Sequence, residues 1–474
     1  MPGQPSYPVL STDSRLAARW LILALAAITI GGLFALGVLI ARVPIFAEHI
    51  PASMSPLFER TLAVHVNLAF GVWFYCWLVV LFLQLPQNRD TGLIHRAIQW
   101  IAAIGVACFV AAIALPDAPM IKSNYVPVLD TPLFMGGLLA FWFAVALTFL
   151  QPRLVRPGSA MAALPGVSGS AGSAIRVAGL IYLLAMLSFI GAWKTTPDTH
   201  TGWPFYELLF WGAGHVLQFA NEAGMLAAWL ILLTHALGSQ PVSRNVVRAL
   251  LAVLIIPPLA GPVLTFMGVT GEHHYDSFTR LMQWGIFPVV TVMLVLCMTA
   301  CFRNTQNAPR GRGALRPLLR HPSFTGFAAS AFLTVTGFVL GGLISLVPES
   351  TTLIPAHYHA AIGAVTVAYM AVTFVLLESW GIPIASERLR RMSVWQPLLF
   401  GVGQFIMALG FAIAGYHKAA RKVYGADQQV RSTGEYVGLV IMGIGGAFAI
   451  VGGVMFLIIV IRSYVVARRA NRAV

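Results

Sequence analysis

Long runs of apolar residues, separated by short polar stretches, dominate the pattern of this chain. About twelve such runs lie within residues 18–42, 58–86, 94–115, 132–151, 175–193, 204–236, 246–270, 279–302, 323–347, 355–380, 394–416 and 434–462. Runs of roughly 20 apolar residues cross a bilayer as helices. Because lipid cannot satisfy backbone polar groups, each segment must bond its own, as a helix does. The predicted fold class is therefore all-α, a polytopic membrane protein with about 12 transmembrane helices.

Composition supports this interpretation. The chain is 58% hydrophobic and only 10% charged, with a mean hydropathy of +0.80, whereas soluble domains carry about a quarter charged residues. The first run is too long for a signal peptide and lacks a small-residue cleavage site, so we expect it to be retained. Residues 1–474 are predicted to form a single membrane-embedded domain, in which the Gly/Ser/Pro-rich stretch 151–174 is a flexible inner loop.

The net charge of +14 is explained by topology. If the N-terminus lies inside, 21 of the 30 basic residues fall on the inner side and 9 on the outer side, as the positive-inside rule requires. Both termini are therefore predicted to be cytoplasmic. Contact with the lipid bilayer, including anionic lipid, is expected, and nucleic acid is not an expected partner. All four cysteines lie in apolar runs, and none belongs to a C-x-x-C-H haem-attachment motif.

Six of the twelve histidines form a pattern on four of the apolar runs, whereas an ordinary structural role is favoured for the other six, which lie near helix ends or in loops. The six in the pattern are His65, His215, His273, His274, His357 and His359. An imidazole in hydrocarbon is costly unless something holds it, so intramembrane histidines are candidate functional residues. Imidazole nitrogen is also a common ligand for haem iron, copper and non-haem iron.

The predicted topology brings all six to the outer half of the bilayer, on four helices. His357 and His359 are two residues apart, about 200° around a helix, so they can ligate two different irons. His273 and His274, at the outer end of the seventh run, can converge with His215 on one ion. Three imidazoles leave an open metal position for a small ligand. His65 then remains as an opposing axial ligand for one haem.

These motifs give the chain a resemblance to subunit I of the haem–copper oxidase superfamily along essentially its whole length. The matching residues are H-x7-W (His65, Trp73), G-H (Gly214, His215), H-H (His273, His274) and H-x-H (His357, His359). The stretch GYHKAARKVYG resembles the family's basic segment beside the haem propionates. The resemblance implies a subunit I-like helix bundle.

The same resemblance implies specific roles. His65 and His359 would ligate a low-spin haem iron, and His357 a high-spin haem iron. His215, His273 and His274 would hold the second metal, copper or iron. Arg421 and Lys422 would neutralise propionates, and Tyr358 would lie on the electron route between the haems. The implied cofactors are two b-type haems and one non-haem metal ion.

The reaction depends on a residue that is missing. Oxidases of this family use a tyrosine near the second metal, commonly four residues after the helix-six histidine, and well-known nitric oxide reductases place a glutamate there. Here that position is Phe219. Without the tyrosine, a two-electron reaction is expected: 2 NO + 2 e⁻ + 2 H⁺ → N₂O + H₂O. Gln218 and Asn221 make the chain similar to a reductase branch called sNOR, whose partner subunit carries copper.

Glu222 lies seven residues beyond His215, on the same helix face and about 10 Å deeper. An ionisable group at that depth is expensive, which favours proton delivery to the catalytic site. The alternative is a carboxyl group hydrogen-bonded between helices. Glu207, Glu272 and Asp276 mark a possible entry for protons from the outside.

The expected function is the catalytic subunit of a respiratory nitric oxide reductase in the bacterial inner membrane, with its active site toward the periplasm. Electrons would come from a donor subunit with copper or cytochrome c, docked on the outer face. The alternative is a terminal cytochrome oxidase that reduces O₂ to water. A histidine-lined transporter and a haem-based gas sensor are further alternatives.

Overall fold

The chain folds into a bundle of long helices. The computed structural model describes residues 12–87, 92–156, 164, 166–167, 169–306, 315–346, 351–425 and 428–470. Within these ranges, twelve helical spans are long and apolar enough to cross a membrane. The predicted all-α, multi-pass fold class is thereby confirmed. Residues 157–163, 165 and 168 of the predicted inner loop lie outside the described residues.

The helices follow the predicted runs closely. In chain order they are α1 (Thr12–Ile40), α2 (Pro44–Ala47), α3 (Ser55–Val66), α4 (Trp73–Leu83), α5 (Leu93–Ala111), α6 (Pro132–Phe149), α7 (Ser170–Thr195), α8 (Trp203–Leu237), α9 (Arg244–Met267), α10 (Glu272–Gln306), α11 (Leu315–Leu319), α12 (Pro322–Ile344), α13 (Leu353–Ser379), α14 (Glu387–Tyr416) and α15 (Thr433–Ala470). Short 3₁₀ helices cover Ala52–Met54, Ala112–Ala114 and Pro152–Leu154.

One small sheet interrupts the connection between α5 and α6. Strand β1 (Met120–Ile121) pairs antiparallel with β2 (Val128–Leu129), with Met120 opposite Leu129. Helix α5 ends at the same end of the bundle at which α3, α8 and α13 begin. We call residues 115–131, which lie at this end, the outer hairpin. Following the charge-based topology, we name that end the outer end.

The second membrane span is not a uniform α-helix. Between α3 and α4 the chain takes a π-helical turn over Asn67–Val72, which begins two residues after His65. A π turn inserts extra backbone per turn and is often found at functional sites. It changes the rotation of α4 relative to the helix that carries His65, which a run of apolar residues cannot indicate.

The connection between α9 and α10 differs from the sequence prediction. Helix α9 ends at Met267, because Gly268 takes a φ of 130° that a side chain would disfavour. The chain restarts as α10 at Glu272. His273 and His274 therefore belong to the first turn of the eighth span and not to the outer end of the seventh, which corrects our placement of them.

Three spans form the centre of the bundle. The most apolar windows of the spans Ala52–Leu83, Trp203–Leu237 and Leu353–Ser379 are each 89% buried, whereas no other span exceeds 61%. These central spans carry four of the six histidines: His65, His215, His357 and His359. The candidate ligands therefore lie on the helices best protected from lipid.

Glycines allow two peripheral helices, α14 and α15, to pack tightly against each other. On α14 and α15, a Cβ at Gly410 would lie 2.2 Å from the backbone nitrogen of Met442, and one at Gly445 would lie 2.1 Å from that of Met407. Because lipid gives no hydrophobic drive for helix association, such close backbone approach is a main source of packing energy in membranes.

Candidate haem and metal site

The candidate ligands reach similar depths from the outer end. His65 is ten residues into α3, and His215 is twelve residues into α8. His357 and His359 lie four and six residues into α13. At a rise of about 1.5 Å per residue, these positions lie about 6 to 18 Å along their helices. A shared site in the outer half of the bundle is therefore geometrically possible.

Three of these histidines share one hydrogen-bond arrangement. His65 Nδ1 lies 2.8 Å from the carbonyl oxygen of Gly31, and His357 Nδ1 lies 2.7 Å from that of Gly337. His215 Nδ1 lies 2.8 Å from the carbonyl oxygen of Trp211. A carbonyl oxygen can only accept, so each Nδ1 must donate the proton. Each Nε2 then carries the free lone pair, which is the tautomer that metal-ligating histidines adopt.

His357 and His359 contact different helices, as their spacing predicts. The His357 ring lies against α12, where a Cβ at Gly341 would be 3.0 Å from the imidazole. The His359 ring stacks on Phe411 of α14, with centroids 5.4 Å apart. His65 is close enough to His359 for the two rings to interact electrostatically. His359, which is paired with His65 in the predicted haem site, thus lies on a different side of α13 from His357.

Partly accessible residues in these otherwise buried helices mark an internal space. On α8, from Gly212 to Leu233, only Gln218 and Glu222 are not buried. These two are four residues apart and share one helix face. His65 and His359 are partly accessible in the same way on their own central spans. Because these spans lie inside the bundle, we infer that the accessible area borders an internal space between the helices.

Only two of the three histidines assigned to the second metal pack against the same side chain. His215 and His274 both pack against the ring of Phe278, with centroid distances of 5.9 and 5.0 Å. His274 is 5% exposed, and neither of its ring nitrogens has a hydrogen-bond partner among the described residues. A buried imidazole without partners requires an explanation such as an unseen ligand or ion. The donor set of His215 and His274 fits a nitrogen-bound metal.

His273 does not join them. Its side chain is exposed, while that of His274 is buried. Successive residues of a helix point about 100° apart, so adjacent histidines in a helical turn diverge. Within the described part of the chain, no group of three or more His, Cys, Asp or Glu side chains is arranged to hold a metal ion. The structure therefore does not bring His273 together with His274 and His215, and the three-histidine set stays a prediction.

The basic segment lies directly above Tyr358. The Arg421 guanidinium lies 5.8 Å from the Tyr358 ring centroid and donates to Asn124 Oδ1 at 2.8 Å. Lys422 Nζ donates to the carbonyl oxygen of Lys122. Burial and the neighbouring charges of Arg421 and Lys122 lower the pKa of Lys422 to about 8. Burial makes the ammonium form costly, and Arg421 and Lys122 add positive charge beside it, so carboxylates such as haem propionates fit this place.

A buried arginine fixes the basic segment. Arg42 is 3% exposed and donates to the carbonyl oxygens of Ala420, at 2.5 Å, and Val423. Its guanidinium lies 5.2 Å from the Tyr424 ring centroid. The sequence analysis did not identify Arg42, because nothing in the pattern shows that the turn after α1 reaches a segment more than 370 residues later.

Glu222 lies in the internal space described above. The Oε2 atom of Glu222 has no hydrogen-bond partner among the described residues. Its carboxyl group is close enough to Tyr369 of α13 for the two to interact electrostatically. The Tyr369 hydroxyl would lie 2.3 Å from a Cβ at Gly224. The unpaired oxygen agrees better with a proton-carrying group than with a carboxyl group fully bonded between helices.

The residue in the place of the family tyrosine is packed away. Phe219 is fully buried, and its ring would lie 2.7 Å from a Cβ at Gly285 of α10. Of the outer acidic residues, Glu207 accepts two hydrogen bonds from Asn124, and Asp276 pairs with Arg280 at 3.0 Å. The side chain of Glu272 lies outside the described residues. Glu207 thus anchors the outer hairpin.

No family model matches the chain. It is 26% identical over 373 residues to an uncharacterized protein of Aquifex aeolicus, an alignment that covers 76% of this chain and 84% of that protein. It is 23% identical over 510 aligned positions to an uncharacterized protein of Rickettsia prowazekii, which covers 95% of this chain and 96% of the relative. The chain is thus similar to each of these two relatives over three quarters or more of its length.

Proposed function

We propose that this chain is the catalytic subunit of a respiratory nitric oxide reductase, a member of the haem–copper oxidase superfamily nearest to its sNOR-like branch. One observation carries the proposal. Three central, buried helices each hold a histidine whose Nδ1 donates to a backbone carbonyl oxygen and whose Nε2 is left free. Repetition of this arrangement at one end of the bundle is typical of ligands to haem or non-haem metals.

The residues divide into four sets. His65 and His359 would hold a low-spin haem, and His357 a high-spin haem. His215 and His274 would hold the second metal, iron or copper, with His273 available only after a change in the first turn of α10. Arg421 and Lys422 would neutralise the haem carboxylates. When bound, the haems and the second metal supply electron transfer and the position at which NO is reduced.

Protein residues would control the protons of the reaction. Glu222 borders the same internal space as Gln218, one helix turn nearer to His215. A carboxyl group there can hold a proton and release it toward the site, because its Oε2 has no hydrogen-bond partner among the described residues. The apolar ring of Phe219 cannot supply the electron that a tyrosine gives in the oxidases of this family, which agrees with a two-electron reaction.

Electrons would come from a separate subunit. The sequence holds no c-type haem motif, so we propose a donor with copper or cytochrome c at the outer end, close to the basic segment. The chain would lie in the bacterial inner membrane, with this end in the periplasm.

The test is turnover of purified protein with NO and with O₂, together with haem and metal analysis. We expect two haems and one further metal ion per chain, and N₂O formation with an artificial reductant. Faster O₂ reduction would instead favour a terminal oxidase. Haem without turnover would favour a gas sensor, and protein without haem would contradict the proposal and favour a transporter.

A further inference from the structure

The outer hairpin places a tyrosine against His215. The Tyr125 and His215 ring centroids lie 4.7 Å apart, and Tyr125 also packs edge-on against Trp211 at 5.7 Å. A Cβ at Gly214 would lie 2.4 Å from the Tyr125 ring. The glycine that precedes His215 therefore provides the room for this contact.

The hairpin is held firmly in this position. Glu207 of α8 accepts hydrogen bonds from the backbone nitrogen of Asn124 at 2.8 Å and from its Nδ2 at 2.5 Å. Arg421 donates to Asn124 Oδ1 at 2.8 Å. On the other side of Tyr125, the buried Asn67 donates to the carbonyl oxygen of Pro127 at 2.8 Å. Three separate elements thus fix the residues on both sides of Tyr125.

Among the described residues, the Tyr125 hydroxyl has only a weak hydrogen-bond partner. It lies 3.9 Å from the Met282 sulfur on α10, and a thioether is a poor hydrogen-bond acceptor. His215 and His357 already donate their Nδ1 protons to backbone carbonyl oxygens, and Glu222 is about 10 Å deeper along α8 than His215. Tyr125 therefore brings a proton-bearing O–H group to the level of His215.

We propose that Tyr125 is a catalytic proton donor on the outer side of the site. This inference rests on the proposed function. During 2 NO + 2 e⁻ + 2 H⁺ → N₂O + H₂O, with electrons from the donor subunit, the O–H group would hydrogen-bond to the NO oxygen that leaves as water. The proton passes to that oxygen as the N–O bond breaks, and the phenol then regains a proton from the outer solvent. The tyrosine is unchanged over one cycle.

The test compares Tyr125→Phe with Tyr206→Phe. Tyr125→Phe keeps the ring over His215 and Gly214 and removes only the hydroxyl. Tyr206 is the matched control, because its hydroxyl at the same end of α8 donates to Asp130 at 2.6 Å. We expect about a 100-fold loss of NO turnover for Tyr125→Phe, and a rate close to the unsubstituted protein for Tyr206→Phe, with unchanged haem spectra in both.

An infrared measurement tests the contact without turnover. Carbon monoxide bound to the reduced protein should show a C–O stretch that shifts in Tyr125→Phe and loses its sensitivity to D₂O. Unchanged turnover and an unchanged stretch in Tyr125→Phe would overturn the inference. If the unsubstituted protein fails to reduce NO, the proposed function fails, while the infrared comparison still reports whether the hydroxyl faces a bound diatomic ligand.

Discussion

At the scale of residues, backbone carbonyl oxygens decide which histidine nitrogen is free. Gly31, Trp211 and Gly337 each accept from a histidine Nδ1. None of the three stood out in the sequence, because a carbonyl oxygen has no sequence signature. The hydrogen bond fixes both the tautomer and the ring orientation, so each Nε2 would be oriented for the proposed metal before it binds.

His273 and His274 allow a direct test of the second-metal assignment. We expect His274→Ala to lower the content of the non-haem metal and NO turnover by tenfold or more, because it removes a buried imidazole beside His215. His273→Ala should lose much less of the non-haem metal and of the NO turnover, since the His273 side chain is exposed. Metal analysis of the two purified variants measures the difference. Equal losses in both would mean that the first turn of α10 rearranges to use both imidazoles.

Lys422 should make haem retention depend on pH. Its pKa falls from an ordinary 10.5 to about 8 in the folded chain, chiefly through burial. The ammonium form therefore opposes folding below about pH 8, and this cost disappears as pH rises toward 10.5. A bound carboxylate needs the ammonium form, so its attraction should weaken as pH rises through about 8.

We expect haem loss to an acceptor protein to be several-fold faster at pH 9 than at pH 7. Lys422→Gln should lose haem faster at both pH values and remove the difference between them. Lys418→Gln, at an exposed position of the same segment, is the control. A pH step of the same size in Lys422→Gln would assign the effect to another group.

At the scale of elements, glycines of α12 determine where His357 lies. A Cβ at Gly341 would be 3.0 Å from the His357 ring, whereas one at the next residue, Gly342, would meet nothing within 4 Å. Both substitutions to Ala should favour the helix by up to about 1 kcal/mol. Gly341→Ala should nevertheless displace the imidazole and change the absorption of the proposed high-spin haem.

Gly342→Ala should leave that spectrum unchanged and keep or raise the melting temperature. Absorption spectra of the reduced, carbon monoxide-bound proteins provide the comparison. Identical spectra for the two variants would show that the His357 ring gives way without cost, and that α12 does not position it.

Helix bounds were predictable where length and hydropathy decide them. The run 132–151 became Pro132–Phe149, and 246–270 became Arg244–Met267, because the bilayer sets the length of a spanning helix. The π turn after His65 and the restart of α10 before His273 were not predictable. Both depend on local backbone geometry in segments whose hydropathy is continuous or neutral.

At the scale of the whole molecule, the six-histidine pattern located the candidate site but not its surroundings. The outer hairpin and the basic segment meet through Asn124, Arg421 and Lys422, residues almost 300 positions apart. Such contacts follow from how the helices are arranged, and a single sequence shows no periodicity that reports them. Tyr125 was missed for this reason, although its ring lies 4.7 Å from that of His215.

The distribution of lysines offers a test of orientation that needs no substitution. The chain has four lysines, Lys122, Lys194, Lys418 and Lys422, and all of them lie at the outer end, whereas the basic residues assigned to the inner side are arginines. Lys194 and Lys418 are exposed. An amine reagent that cannot cross membranes should therefore label these two lysines in spheroplasts, whose outer membrane is removed, and should not label them in inverted vesicles until detergent is added. Peptide mass spectrometry identifies the labelled positions. The opposite result would place the histidine end in the cytoplasm, and a donor subunit on the periplasmic side could then not reach the proposed site.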